Sequence, residues 1–274
     1  MVIRLLTAAV WLTAALWATA LDEAKGMLSA RSVAGHQRLL ALLFSRDADF
    51  RTAGGYDVGK IAGVLKENGL LRTALPTERE VRVSFQSGED ESPTLFLKVV
   101  GGALLQTGVP APLTRGARFD GSVYRWDIAY KSASLPDPQA LQKALRRYGA
   151  RLARARLTQE GDWFFLIKTD RAFLPVARLR AGQSRRVLRP LRPIWFDVSA
   201  IKSVTFRENP GSHWYPSVTV YDKMLNVLSV KRPRQRTRYL RLRLPRTARY
   251  VKVTDRFSIE NLRYGLRVDA GSAR

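Results

Sequence analysis

The chain has 274 residues, with 47 Lys and Arg against 23 Asp and Glu for a formal net charge of +24, and it is 46% hydrophobic. That apolar content can fill two ordinary cores, so the charge does not describe a disordered polycation. Cysteine is absent, which excludes disulfides, thiolate metal sites, cysteine nucleophiles and acylation as a lipoprotein; any metal is left to carboxylates and two histidines.

At the start, Arg4 precedes an uncharged apolar run from Leu5 to Ala20 that ends Ala18-Thr19-Ala20, with Asp22-Glu23 following. This is the pattern of a secretory signal, and it is short for a membrane span. Residues 1–20 are expected to be a signal peptide cleaved after Ala20. The alternative is an uncleaved anchor, the only case in which a membrane is a partner, and both readings place the body in a bacterial periplasm.

Residues 21–78 read as helical. Met27, Leu28, Leu39, Leu40, Leu42, Leu43 and Phe44 mark a helical stretch up to Ser45, and Asp57 opens a second helix with Val58, Ile61 and Leu65 on one face and Gly69 as its stop. Gly54, Gly59 and Lys60 have the spacing of a phosphate-binding loop, but Ile61 stands where a Ser or Thr must reach magnesium. A turn followed by a helix cap is the better reading.

From 79 to 172 the pattern is β-α-β-β-α-β with one added strand. Val81, Val83 and Phe85 alternate; Ser92-Pro93 starts an apolar helix; two strands meet at Asp120-Gly121. Asp137 and Pro138 start a helix with Leu141, Ala144, Leu145 and Tyr148 on one face and Gly149 as its stop; Ala153, Ala155 and Leu157 then turn at Glu160-Gly161 into Trp163 to Lys168. This is the order of a ferredoxin-like domain. The arginine-rich residues 171–194, with Pro175, Pro190 and Pro193, are a linker, an edge strand or both.

Residues 173–270 read as an all-β sandwich or jelly roll, making the chain α+β overall: N-terminal helices, a ferredoxin-like βαββαβ domain, then the sandwich. Tyr239, Arg241 and Arg243 alternate with Leu240, Leu242 and Leu244; Val251 and Val253 oppose Tyr250 and Lys252; and Leu262, Tyr264, Leu266 and Val268 oppose Arg263 and Arg267. Pro210-Gly211, Asp222, Pro233 and Pro245 punctuate the runs. Charge collects here: residues 171–274 hold 24 Lys and Arg against 6 Asp and Glu.

No catalytic constellation emerges. His36 and His213 are isolated, no H-E-x-x-H or G-x-S-x-G occurs, and Asp22-Glu23, Asp47 with Asp49, and Glu89-Asp90-Glu91 read as solvated acid clusters. A non-enzyme without metal or cofactor is expected. Arg forks bind carboxylate and phosphate bidentately, so Arg241, Arg243, Arg263 and Arg267, with Lys252, are expected to form a surface for an anionic partner; a merely solvated polar face explains them equally. The loop Asn209 to Pro216 brings His213, Trp214 and Tyr215 together, and with Asn209 and Arg256 these are the expected ligand contacts. For Trp214 itself a plug for the end of the core is the better reading, which leaves His213 and Tyr215 as the stronger ligand candidates.

Trp214 to Leu228, WYPSVTVYDKMLNVL, and Ala248 to Val268, ARYVKVTDRFSIENLRYGLRV, resemble the closing strands of galactose-binding-like jelly rolls, the class of discoidin and other carbohydrate-binding modules. The resemblance covers the last third of the chain and implies a ligand site in the loops at one end.

The expectation is therefore a periplasmic envelope-binding protein whose basic sandwich takes a glycan or other acidic polymer. A structural subunit of an envelope-spanning motor or secretion apparatus is the alternative. Nucleic acid is the least favoured partner: charge alone gives salt-sensitive affinity for any polyanion, and export removes the chain from the cytoplasm.

Overall fold

A computed structural model describes residues 19–109 and 112–274. The expected export segment up to residue 18 lies outside them. The described chain opens with α1 (Ala20–Gly26), α2 (Ala30–Gly35) and α3 (Gln37–Leu43), then a small hairpin of β1 (Arg51–Thr52) and β2 (Gly55–Tyr56), and α4 (Val58–Glu67). The single helical stretch expected up to Ser45 is thus three short helices. Ser29 restarts the chain by accepting a bond from the Ser32 amide, His36 sits at the junction of α2 and α3, and Leu42 is exposed.

An α+β unit follows: β3 (Ala74–Gln86), α5 (Pro93–Gln106), β4 (Leu113–Phe119), β5 (Tyr124–Ser134), α6 (Pro138–Arg146), β6 (Arg151–Leu157) and β7 (Trp163–Lys168). Its sheet runs β4-β5-β3-β7-β6. The connection from β3 through α5 to β4 leaves room for β5 between those two strands, and β7 lies parallel to β3. β3 starts at Ala74, inside the stretch expected to be helical. Val81, Val83 and Phe85 on β3 face Phe96 and Val100 of α5 and Leu141 and Leu145 of α6 in one core, closed by Trp163 and Phe165.

Caps explain where both helices begin. Ser92 accepts a bond from Leu95 N, and Asp137 from Gln139 N and Ala140 N, each directly before a proline whose missing N–H costs nothing at that position. On β6 a register shift lies between Leu152 and Arg154, so Leu152 and Ala155 are buried in place of the even alternation expected from Ala153.

Gly59 and Gly63 let α4 approach α6: a Cβ on Gly59 would stand 2.8 Å from the Gln142 side chain, and one on Gly63 would stand 2.6 Å from Gln139. Lys60 donates to the Asp49 carbonyl and lies over the Phe50 ring. Of the two glycines that mimic a phosphate loop, Gly59 is thus a helix-packing residue and Gly54 lies in the turn of the β1–β2 hairpin.

The remaining strands are β8 (Ala177–Arg178), β9 (Ser184–Val187), β10 (Ile194–Asp197), β11 (Ser203–Glu208), β12 (Pro216–Tyr221), β13 (Val227–Lys231), β14 (Tyr239–Arg243), β15 (Tyr250–Asp255) and β16 (Leu266–Ala270). They form a five-stranded sheet, β13-β12-β15-β10-β8, and a four-stranded sheet, β14-β11-β16-β9. The arginine-rich segment contributes β8 and β9, each at a sheet edge. Phe196, Val218, Val220, Val251 and Val253 from the first sheet meet Val204, Phe206, Leu242, Leu266 and Val268 from the second in one core.

The other face of the five-stranded sheet is also covered. Tyr250 is buried, Trp195 and Tyr221 are half-buried, and all three pack with the core of the α+β unit. The Tyr250 hydroxyl accepts from Leu174 N at 3.0 Å, and Ser92, the cap of α5, donates to the Met224 carbonyl. The expected solvent parity of Tyr250 is therefore corrected: that row is an interface.

Two acid clusters are corrected likewise. Glu23 is buried against Arg154 and Arg156, and Glu91 is buried and accepts from both the amide and the hydroxyl of Thr169. Arginine pairing for Glu23 and the two bonds from Thr169 for Glu91 take the place of solvent around these side chains.

Candidate functional site

The outer face of the four-stranded sheet follows from register. Arg207 on β11 stands between Tyr239 of β14 and Arg267 of β16, and Arg267 in turn stands beside Arg186 of β9. The next row holds Arg241, Thr205, Asp269 and Ser184, and Arg243 lies opposite Ser203 beyond it. Alternate residues of these strands fill the core, so this parity must point to solvent, and five arginines occupy it.

Asp269 is the only carboxylate in these rows. It pairs with Arg207 at 3.1 Å and Arg267 at 2.9 Å, and it also accepts from Ser184. Burial works to raise its pKa and is the largest single influence, but the bonds from Ser184, Arg267 and Arg207 together hold it below the ordinary carboxylate range. Arg186, Arg241 and Arg243 make no ion pair among the described residues.

The open face of the α+β sheet is built differently. There Glu80 pairs with Arg82 and Arg115, and Asp127 pairs with Arg125. Charges of both signs interleave on that face, as solubility requires. The outer face of the two-sheet unit carries an excess that solubility does not ask for.

The loop between β11 and β12 closes one end of the core. Trp214 is fully buried, its Nε1 donating to the Thr254 carbonyl at 3.0 Å and its ring meeting Phe206 edge-on. It is the plug, and not a ligand contact. Asn209 is also occupied, since its Nδ2 donates to the Tyr264 carbonyl at 2.7 Å.

Asp255 staples this loop to the next by accepting from the amides of Tyr215, Phe257 and Ser258 and from Asn261 Nδ2. Glu208 accepts from Trp214 N and Arg236. Gly211 takes φ +87 with the Tyr264 ring 3.0 Å from where a Cβ would stand, so both conformation and space require glycine there.

What this end offers to solvent is the His213 ring, the half-buried Tyr215 packed edge-on against Phe257, and two stacked pairs, Arg256 on Phe257 and Arg263 on Tyr264. Tyr264 does not belong to the dry parity. Ile259–Leu262 is a 3-10 turn, the last strand starts only at Leu266, and Tyr264 is 47% exposed. Phe257, Arg186 and Arg207 were not singled out from the sequence; the signal for Arg186 and Arg207 was their place in register with Arg267.

Lys252 is the one basic residue placed elsewhere. It lies on the five-stranded sheet, half-buried with its ammonium 5.9 Å from the Trp195 ring centroid, and faces the α+β unit. Arg241, Arg243 and Arg267 do share the outer face, with Arg263 just before the last strand at the loop end.

Among the described residues no group of three or more His, Asp or Glu side chains could hold a metal, and no helix is long and apolar enough to cross a membrane. Neither a family model, nor a curated protein, nor a solved structure is significantly similar to this chain.

Proposed function

We propose that this is a non-catalytic binding protein of the bacterial envelope, exported to the periplasm, whose outer arginine face takes an acidic polymer or anionic glycan. The observation that carries the reading is the set of five outward arginines on four adjacent strands with Asp269 as their only acid. Adjacent strands lie about 4.8 Å apart, so the guanidinium rows offer closely repeated anion contacts, suited to a polymer and wasteful for a single small ion. The exposed Phe257 and Tyr264 at the loop end supply flat apolar faces on which sugar rings stack. On this reading the two-sheet unit is a jelly roll of the galactose-binding-like kind. The α+β unit is a ferredoxin-like variant with β7 inserted between β3 and β6.

The test is retention of the purified chain on sacculi and on lipopolysaccharide across a salt titration, against a neutral polysaccharide. Retention that falls steeply with salt and is lost in Arg186→Glu/Arg241→Glu/Arg243→Glu supports the reading. Absence of binding to either anionic material at low salt sinks it.

A second reading, a subunit of an envelope assembly, is favoured by Leu188 and Leu191, which are 63% and 87% exposed beside β9 and β10. Crosslinking in cells that recovers one stoichiometric protein partner through this segment would replace the first reading.

A further inference from the structure

Where the α+β unit meets the two-sheet unit there is a cavity of about 480 Å³. Lys98 of α5, Arg192 just before β10, and Lys252 of β15 line it around Trp195, and no Asp or Glu does. The ammonium groups of Lys98 and Lys252 stand 5.5 and 5.9 Å from the Trp195 ring centroid. Although Lys98 as a residue is open to solvent, burial of its ammonium, and then the charges of Lys252 and Arg192, push its pKa below the ordinary lysine value. Three cations gathered about an indole without a counter-charge repel one another, and a bound anion would relieve that repulsion.

Lys98, Tyr148 and Arg192 also line an adjoining groove of about 610 Å³ along α5. Its walls include Leu97, Trp126 and Leu105, the last 66% exposed, and Gly101 lies on its floor. A Cβ on Gly101 would meet nothing within 4 Å, whereas one on Gly102 would strike the Tyr148 hydroxyl. Packing therefore explains Gly102 and leaves Gly101 unexplained, in a helix interior where glycine is the poorest residue after proline. A bare floor there keeps the groove open.

From these two observations we infer that the site binds a single-chain alkyl phosphate. The phosphate sits among Lys98, Arg192 and Lys252, and the chain lies over Gly101 between Leu97, Trp126 and Leu105. A phosphate monoester carries close to two negative charges at neutral pH, which matches three cations better than a carboxylate does. On α5 the stretch from Lys98 to Leu105 is about 10 Å long, enough to shelter the first part of a chain. The inference does not rest on the arginine face.

The experiment is calorimetric titration of the full chain with dodecyl phosphate below its micellar concentration, and with hexyl phosphate, inorganic phosphate, dodecanoate and dodecyltrimethylammonium. Dodecyl phosphate is expected to bind one to one, at least tenfold more tightly than inorganic phosphate or dodecanoate, with hexyl phosphate between and the cationic amphiphile not binding. Lys252→Gln should weaken dodecyl phosphate about tenfold. Gly101→Leu should remove the advantage of the long chain and leave inorganic phosphate unchanged, while Arg241→Gln/Arg243→Gln should alter neither. Affinity independent of chain length, or equal binding of the cationic amphiphile, overturns the inference; the chain-length series decides it even if Gly101→Leu does not fold.

Discussion

The two outer faces of the two-sheet unit descend from the same alternation and end in opposite environments. On the five-stranded sheet the second parity carries Trp195, Tyr221 and Tyr250 and is covered by the α+β unit. On the four-stranded sheet it carries Arg186, Arg207, Arg241, Arg243 and Arg267 and meets water. A sheet dry on one side must be polar on the other, while a sheet covered on both sides loses the alternation. β12 displays this, being buried at every position from Pro216 to Val220. Large aromatic rings at nominally polar positions are the mark of the covered face, and an excess of arginine over carboxylate is the mark of the free one.

The sharpest break of this contrast is at its shared centre. Trp214→Ala should cost roughly 3 to 5 kcal/mol in thermal or denaturant unfolding, because the indole plugs the core and its Nε1 bond is lost. Tyr215→Ala, at the neighbouring half-buried position, should cost roughly 1 kcal/mol. A larger loss at Tyr215 would reverse the assignment of plug and rim.

Next is the covered face. Tyr250→Phe leaves Leu174 N without its buried acceptor and should cost about 1 to 3 kcal/mol in the same measurement. An unchanged midpoint would mean that this bond adds nothing to the docking of the two units.

On the free face, Asp269 gives a dependence on pH. Its folded pKa lies below the ordinary aspartate value, so the stability it contributes is fully present above about pH 4 and is lost as pH falls through the lowered value. Unfolding midpoints followed from pH 7 to pH 2 should be less acid-sensitive in Asp269→Asn; an identical profile would show that its arginine pairs are neutral to folding.

The smallest effect on stability is expected from Arg241→Gln and Arg243→Gln, within about 0.5 kcal/mol of the parent. Each should nevertheless reduce the salt slope of polyanion binding by about one unit. Unaltered slopes would reduce the arginine rows to a solvated surface.

The helix starts were legible because they are local: Asp137-Pro138 and Ser92-Pro93 carry their own caps, and Val81, Val83 and Phe85 carry their own period. The outward arginines of β14 were legible for the same reason. Tyr264 was misplaced because the short turn from Ile259 interrupts the alternation. Gly265, at φ +88 with the Val187 backbone where a Cβ would stand, was the available signal that no strand passes there. The cavity at Trp195 was beyond a reading by local pattern, since Lys98, Arg192 and Lys252 are brought together only when the two units dock. Lys252 looked like one more basic residue on an exposed row for the same reason.

The first turn of α1 has a consequence for the order of events in the life of the chain. Thr19 and Asp22 cap each other, Ala20 is fully buried, and the Ala20 amide donates to Asp47 at 2.8 Å. If a peptidase cuts after Ala20, it must act while this stretch is still extended, because the folded state hides the bond. The processed chain then begins folding without its cap, a loss of about 1 kcal/mol, and with Asp47 deprived of that donor. Were the chain cut there, cutting and folding would compete for the same few residues. N-terminal sequencing of the protein recovered from cells distinguishes the cases: Leu21 as first residue means that a cut was made before this helix folded, and retention of Thr19 and Ala20 means that none was made there.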